Sequence, residues 1–531
     1  MALSGLPSTR RPSTPVSPIS MIVLAQGGNA RTLGEVTLIY FQPMGDVEVP
    51  VLIVGGSLVG MSAALLLGHH GVRSLTVEHH SGTAIHPRAA QISQRTMEIF
   101  RSVGVEQIVR RRSEDQFVQD GAVMAVETLT GKELAYYIAN LNDSVRDVSP
   151  CERVFISQSL LEPVLKERAR ELGAELRFGT EMTDFKQDPD GVTAQIRDRS
   201  TGHPTTVRAR YLIAADGSRS RIREALGIRL SGHGTFSNSI TIYFRANVAP
   251  LLRGRNLSVI YVLNPALRGF FRFEKPFDSG FLAVNAVGDP ANPVTDLSTG
   301  LTDQRCLELV RAGLGSDDVP VTIQNVMNWQ AAAETAERFQ NERIFLAGDA
   351  AHVMPPNGGF GGNTGIQDVH NLAWKLAHVL KGMADPQLLS TYGAERRPVA
   401  AFTVEQAYAR YVTRTAPYLG TEGMDAVEDD LNVELGYSYG PDGPVHGNPR
   451  ESNGRPGTRA PHVWLNAGRS TLDLFGRGFI LLAGPAWAAT PPAGVEVHFI
   501  QEEECSRAYG ITPSGAVLVR PDGFVEWQQR S

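Results

Sequence analysis

The sequence predicts an α/β chain in which a parallel-sheet core is interrupted by an antiparallel sheet and followed by a small third unit. Three observations carry this. Buried apolar runs at Val51 to Val54, Tyr211 to Ala214 and Ile344 to Leu346 each lead into glycine or a paired glycine and acid, as parallel strands do when they deliver a loop at their carboxyl ends. From about Ser237 to Val287 the pattern switches to alternating, Ile-, Tyr-, Phe- and Val-rich segments: SITIYFRANV, LSVIYVLN, GFFRFEK and GFLAVNAV. Beyond a cluster of Pro, Gly, Asn and Arg between Gly440 and Ala460, short apolar runs resume from Pro461 to Gln528.

In chain order, Met1 to Pro18 is rich in Ser, Thr, Pro and Arg, and no acid precedes Glu35. It lacks the Arg-bearing amphipathic helix of a transit peptide. Residues 1–46 therefore read as a disordered or mis-called extension, with Met44 the expected functional start. Next, Gly55-Gly56-Ser57-Leu58-Val59-Gly60 follows the first strand and opens the helix MSAALLLGHHG. A second apolar run, Ser74 to Val77, ends in Glu78, with His79 beside it. Strand, glycine turn, helix, strand and acid is the order of a dinucleotide fold. The glycines let the backbone approach a pyrophosphate, and the acid takes ribose hydroxyls. Ser57 departs from the pattern, standing where the middle glycine is expected.

Arg170 to Asp198 gives two short strands around a turn at Asp188 to Gly191, and the chain returns through YLIAADGSRSRIR, where a strand delivers Asp216-Gly217. The most informative string is RIFLAGDAAHVMPPNGGFGGN. It runs from a strand through Gly348-Asp349 and a proline pair beginning at Pro355 to a turn containing Gly361, Gly362 and Asn363. The helix that follows carries apolar residues at Ile366, Val369, Leu372, Leu376 and Val379. Its N-terminus has unpaired N–H groups and favours an anion, or a ring that becomes anionic. Asp349 is placed to accept hydrogen bonds from sugar-type hydroxyls.

Composition narrows the class. With 531 residues, 42% of them hydrophobic, the chain buries more than one core. A net charge of −6 argues against nucleic acid or an anionic membrane as partner. Cys151, Cys306 and Cys505 are widely spaced, so disulfides and metal ligation are not expected, and a reducing cytoplasm fits. No apolar stretch reaches the length of a membrane span.

A glycine fingerprint, an Asp-Gly turn and a Gly-Asp turn occur in that order. From roughly Val49 to Arg414 the chain thereby resembles the FAD-dependent aromatic hydroxylases, the group A flavoprotein monooxygenases. HPRAAQISQRTMEIFRSVG, GGFGGNTGIQDVHNLAWKLA and RPGTRAPHVWL look closest to the aromatic polyketide hydroxylases of bacteria. The resemblance implies non-covalent FAD, with Asp349 on the ribityl chain and Gly361, Gly362 and Asn363 against the pyrimidine end of the ring. It matches Arg88, in HPRAAQ, and Gln158, in ISQSLLEPVL, to further flavin residues. It also implies NAD(P)H and O2 as co-substrates, and oxygen transfer through a flavin C4a-hydroperoxide. Tyr261, in SVIYVLNP, and Arg414, in YVTRTAPY, match a tyrosine and an arginine that assist deprotonation of the substrate. The last unit resembles the thioredoxin-like C-terminal domain of such hydroxylases but lacks Cys-x-x-Cys, which excludes disulfide exchange.

The expected layout is a dinucleotide (FAD)-binding fold over 47–232 and 338–400. It is interrupted by an antiparallel-sheet substrate domain over 233–337 and followed by a helical segment and linker over 401–450 and the thioredoxin-like domain over 451–531. The expected function is hydroxylation of an aromatic polyketide or related phenol by a cytoplasmic monomer or homodimer. A Baeyer–Villiger or quinone-forming oxygenase and a non-catalytic flavin-binding assembly protein are the alternatives.

Overall fold

The computed structural model describes residues 47–85, 91–143, 145–440, 446–465 and 468–529. The N-terminal segment 1–46 and Arg88 lie outside them.

The strand Val47–Val54 forms the centre of the first sheet, parallel to Ser74–Glu78 on one side and to Pro204–Ala214 on the other. The chain builds outward through Glu175–Phe178 on the first side, then crosses to Pro204–Ala214 and Ile344–Leu346 on the second. The strand order thus reverses beside Val54, and in open α/β sheets the crevice at such a reversal is the ligand site. A hairpin of Thr180–Asp188 and Gly191–Asp198 extends the edge, its turn held by Asp188 Oδ1, which accepts from the N–H groups of Asp190 and Gly191. The helices Leu58–His69 and Phe360–Leu380 pack on this sheet, where Val51, Leu52, Ile53, Leu212, Phe345, Ile366 and Leu376 share one core.

The second sheet has eight strands, in the order His352–Val353, Thr322–Ala336, Leu230–Arg245, Ser279–Val287, Leu267–Glu274, Leu257–Leu263, Ala122–Val126 and Glu133–Ile138. All neighbours are antiparallel except Leu257–Leu263 with Ala122–Val126. Period-two alternation gives it two distinct faces. Ile240, Ile242, Phe244, Phe271, Leu282 and Val284 pack under the helix Asp303–Leu314 through Leu309, Val310 and Leu314. The opposite face carries Tyr243, Tyr261, Phe270, Phe281 and Trp329. The span 47–232 thus contains two strands, Ala122–Val126 and Glu133–Ile138, that pair with the second sheet. Ala122–Val126 joins it through Leu257–Leu263, more than a hundred residues away, and no local pattern reports such a pairing. The helix Thr391–Arg414 also runs unbroken across residue 400, because Pro398 removes one N–H without ending it.

The C-terminal unit is a four-stranded sheet in the order Glu496–Phe499, Ile480–Ala483, Ala516–Val519 and Val525–Gln529, with the short helix Glu503–Ala508. Burial pushes the Cys505 thiol up to about 12, which suits a packed rather than a redox cysteine. Buried charges dock this unit. Arg459 grips both oxygens of Glu98 at 2.5 and 3.0 Å, and Arg520 donates to Glu395 at 2.8 and 2.9 Å. At the Pro521-Asp522-Gly523 turn, Asp522 Oδ2 accepts from Trp374 Nε1, and the Asp522 carbonyl accepts from Arg95. No described helix is long and apolar enough to cross a membrane.

Candidate cofactor and substrate site

Gly55 follows the central strand with φ +102°, a conformation open to glycine at little cost, and its N–H donates to the Val77 carbonyl at 2.9 Å. A side chain on Gly60 would fall on the Gly55 carbonyl oxygen, so this glycine sets the close approach of helix to turn. Ser57 is different. Its φ is −90° and its ψ −164°, ordinary extended backbone, so the turn does not need glycine there. Its hydroxyl donates to Glu162 Oε1 at 2.6 Å and accepts from Gln158 Nε2 at 2.7 Å. Glu162 Oε2 also accepts the Ala84 N–H at 2.6 Å. Glu162 escaped the sequence reading, although it follows Gln158 by one turn of the same helix. Leu58 is buried, while Val59 wedges between Gly348 and Gly365 and ties the first helix to the second glycine turn.

Glu78 is 6% exposed at the tip of its strand, where Oε2 accepts the Gly56 N–H at 2.7 Å. Oε1 accepts the His80 N–H at 2.8 Å and lies 3.1 Å from the exposed His79 Nδ1. Asp216 Oδ2 accepts the Ile222 N–H at 3.3 Å, while buried Oδ1 meets no partner. Burial pushes that carboxyl up from its ordinary value. Arg223 joins the two acidic turns by donating to the carbonyls of Ser218 and Ala350.

Gly348 has φ +59° and Asp349 is exposed in the one-turn 3-10 helix Gly348–Ala350. Behind them, Asp368 is fully buried and accepts from Gly348 N–H at 3.2 Å and Arg396 Nε at 2.9 Å, with His352 Nε2 at 2.7 Å. His352, fully buried, therefore sits beneath the turn and holds it from the core side. Pro355 is buried, and Gly361 and Gly362 lie half-buried in the first turn of the helix Phe360–Leu380. The Asn363 side chain is engaged within the protein. Its Oδ1 accepts Ser93 N–H, and its Nδ2 donates to the carbonyls of Gln91 and Gly359, so this side chain fixes the helix start.

Glycine turns, two helix N-termini, an exposed Asp349, an unpartnered Asp216 oxygen and Glu78 fit a flavin dinucleotide in acceptor and donor chemistry.

Across from the glycine loop, Tyr261 is 4% exposed, and its hydroxyl accepts from Asn357 Nδ2 at 3.2 Å. The same Nδ2 lies 3.2 Å from Thr415 Oγ1. Tyr137 meets Tyr261 edge to face at 5.6 Å, and the Arg414 guanidinium lies 5.0 Å from the Tyr137 ring. Tyr261 and Arg414, more than 150 residues apart, are thus brought together. Burial pushes the Tyr261 phenol up from its ordinary value, and the Arg414 cation offsets only part of that. Tyr261 is therefore neutral near pH 7, a hydrogen-bonding group rather than a phenolate base. Asn357 was not singled out from sequence, although it is the only amide between the proline pair and the glycines.

Residues 48–407 match the FAD binding domain family, and residues 453–531 match the aromatic-ring hydroxylase C-terminal family. The chain is 51% identical to a 4-methyl-5-nitrocatechol 5-monooxygenase of a Burkholderia species, over 91% of this chain and 95% of that protein. It is 40% identical to the tetracenomycin A2 monooxygenase-dioxygenase of Streptomyces glaucescens, over 91% and 94%. The crystal structure of aklavinone-11 hydroxylase with FAD and aklavinone superposes with a TM-score of 0.83 at 35% identity, over 92% of this chain and 96% of that one.

Proposed function

This chain belongs to the FAD-binding aromatic-ring hydroxylases, and from that membership we propose that it hydroxylates a phenolic ring held between the second sheet and the Pro355–Asn363 loop. It is an FAD-dependent monooxygenase. The activities named for its relatives run from a nitrocatechol to a polyketide, and the substrate falls within that range, an aromatic polyketide or a related phenol. O2 and NAD(P)H are the co-substrates, in a cytoplasmic enzyme that is a monomer or homodimer.

Bound FAD, reduced by NAD(P)H, supplies the oxygen-activating chemistry. The residues divide the remaining work. Glu78, beside His79, takes the adenosine ribose hydroxyls, and the Gly55–Gly60 turn and Ser57 offer the pyrophosphate a helix N-terminus. Gln158 holds Ser57 in place. Asp216 and Asp349 take cofactor hydroxyls, and the first-turn N–H groups at Gly361 and Gly362 stabilise negative charge at the ring. Tyr261, kept neutral by burial, hydrogen-bonds the substrate hydroxyl, and the Arg414 cation favours its ionised form, the proton passing to solvent. Phe270 and Tyr137 help exclude water.

The observation that carries this reading is the meeting of Tyr261, Arg414 and Asn357 beside the flavin-type glycine loop. Reaction under 18O2 with NADPH tests it. A phenolic substrate should accelerate NADPH oxidation and return with one 18O on a ring carbon, located by mass spectrometry and NMR. A ring-expanded lactone would establish the Baeyer–Villiger alternative, and a lack of substrate-stimulated oxidation would sink the proposal.

A further inference from the structure

Arg272 lies on the same sheet face as Tyr261. It is two residues along the strand from Phe270, which pairs in register with Tyr261 and has its ring centroid 5.9 Å away. Phe271 and Phe273 alternate onto the opposite face, under the helix Asp303–Leu314. Arg272 is 6% exposed, and its guanidinium packs between two buried rings, 3.8 Å from the centroid of Phe155 and 4.7 Å from that of Phe117. Cation–π contact covers its faces but leaves its edge unsatisfied. Nε and Nη2, both buried, meet no hydrogen-bond partner, and Glu274, the nearby carboxylate, gives one oxygen to Gln116 instead. Burial pulls the guanidinium down to about 9, so the group remains a cation at neutral pH.

The same Nε–Nη2 edge is put to use elsewhere in the chain. Arg101 donates through it to both oxygens of Asp473 at 2.6 and 3.0 Å, and Arg459 does so to both oxygens of Glu98. That edge is a planar fork matched to two coplanar acceptor oxygens. A buried cation without such an acceptor is costly to keep, and a ligand that supplies one recovers the cost. The flanking rings suit a flat, apolar molecule rather than a hydrated phosphate. Tyr261 and Arg272 are diagonal neighbours on paired strands, and such neighbours stand about 7–8 Å apart, the span of one substituted ring.

We propose that Arg272 is a substrate-recognition residue, binding a planar two-oxygen substituent, nitro or carboxylate, on the aromatic ring whose hydroxyl faces Tyr261. This rests on the hydroxylase reading above and adds a substrate class to it.

The test uses the FAD-loaded enzyme and equilibrium dialysis with three probes: 4-methyl-5-nitrocatechol, 3,4-dihydroxybenzoate and 4-methylcatechol, each quantified by its own absorbance. Arg272→Met should weaken binding of the nitro or the carboxylate probe at least tenfold, while 4-methylcatechol changes less than threefold. Arg272→Lys, which keeps the charge but not the fork, should fall between and guards against a Met variant that misfolds. Whichever of the first two probes loses affinity identifies the substituent. Equal losses for all three probes, or none, overturn the role of Arg272. A wild type that binds none of the three overturns both this inference and the phenol reading beneath it.

Discussion

Asp368→Asn removes a charge from the fully buried group that fixes the Gly348-Asp349 turn, while keeping its size. Three partners meet that carboxylate: Gly348 N–H, His352 Nε2 and Arg396 Nε. Arg396, also fully buried, would keep only Tyr439 Oη and the Thr364 carbonyl. Breaking one side of a buried pair typically costs about 3–5 kcal/mol. At about 2 °C per kcal/mol for a domain of this size class, the melting point should fall by about 6–10 °C. Flavin fluorescence during heating reports it directly, since release of the cofactor accompanies loss of the turn. The pH dependence has a definite sign. Burial opposes ionisation of Asp368, yet His352 and Arg396 together hold its carboxyl below the ordinary value. Its contribution is therefore complete above the unfolded value near 3.8 and is lost as pH falls through the lower folded one. Wild type should lose melting temperature steeply below that point, and the variant less so. A variant melting within 2 °C of wild type, with unchanged FAD affinity, would refute the reasoning.

Asp349→Ala should weaken FAD binding tenfold or more, since a hydrogen bond to a charged group contributes about 1.5–3 kcal/mol; ultrafiltration of the flavin measures it. Acid precipitation should leave the flavin in the supernatant, as expected of a non-covalent cofactor, and colour retained in the pellet would contradict this. Tyr261→Phe and Arg414→Ala should let NAD(P)H consumption continue while product yield falls and hydrogen peroxide accumulates. The loss in hydroxylation should be about 10–150-fold, as expected for a lost hydrogen bond or charge contact to the ionised substrate of about 1.5–3 kcal/mol, and higher pH should partly rescue Tyr261→Phe by ionising the substrate. Normal coupling in both variants would make these residues structural.

What the sequence made legible was local chemistry. The glycine turn and the Asp216-Gly217 and Gly348-Asp349 turns each declare themselves within a dozen residues, because backbone conformation and charge placement are set there. What stayed hidden depends on partners distant in sequence. Asn363 looks like a flavin ligand in its own string, yet its side chain is committed to Gln91 and Ser93. Ser57 looks like a defect in a glycine motif until Gln158 and Glu162 appear beside it. Arg272 reads as one more charged residue on a strand, and only burial between Phe117 and Phe155 marks it out. The strands Ala122–Val126 and Glu133–Ile138 carry no local sign of the sheet they join.

The hairpin turn at Asp522 bears on the order in which the molecule becomes competent. It binds Arg95 at the start of one helix and Asn371 and Trp374 along another, and the first turns of these two helices are joined by the Ser93–Asn363 hydrogen bond beside the glycine loop. Residues made after the rest of the crevice thus tie together elements translated far earlier. While the chain emerges at about 5–20 residues per second, the parallel sheet can form long before this tie exists. A ribosome-stalled chain lacking the hairpin should therefore hold flavin more weakly than the released one, even with every glycine motif in place.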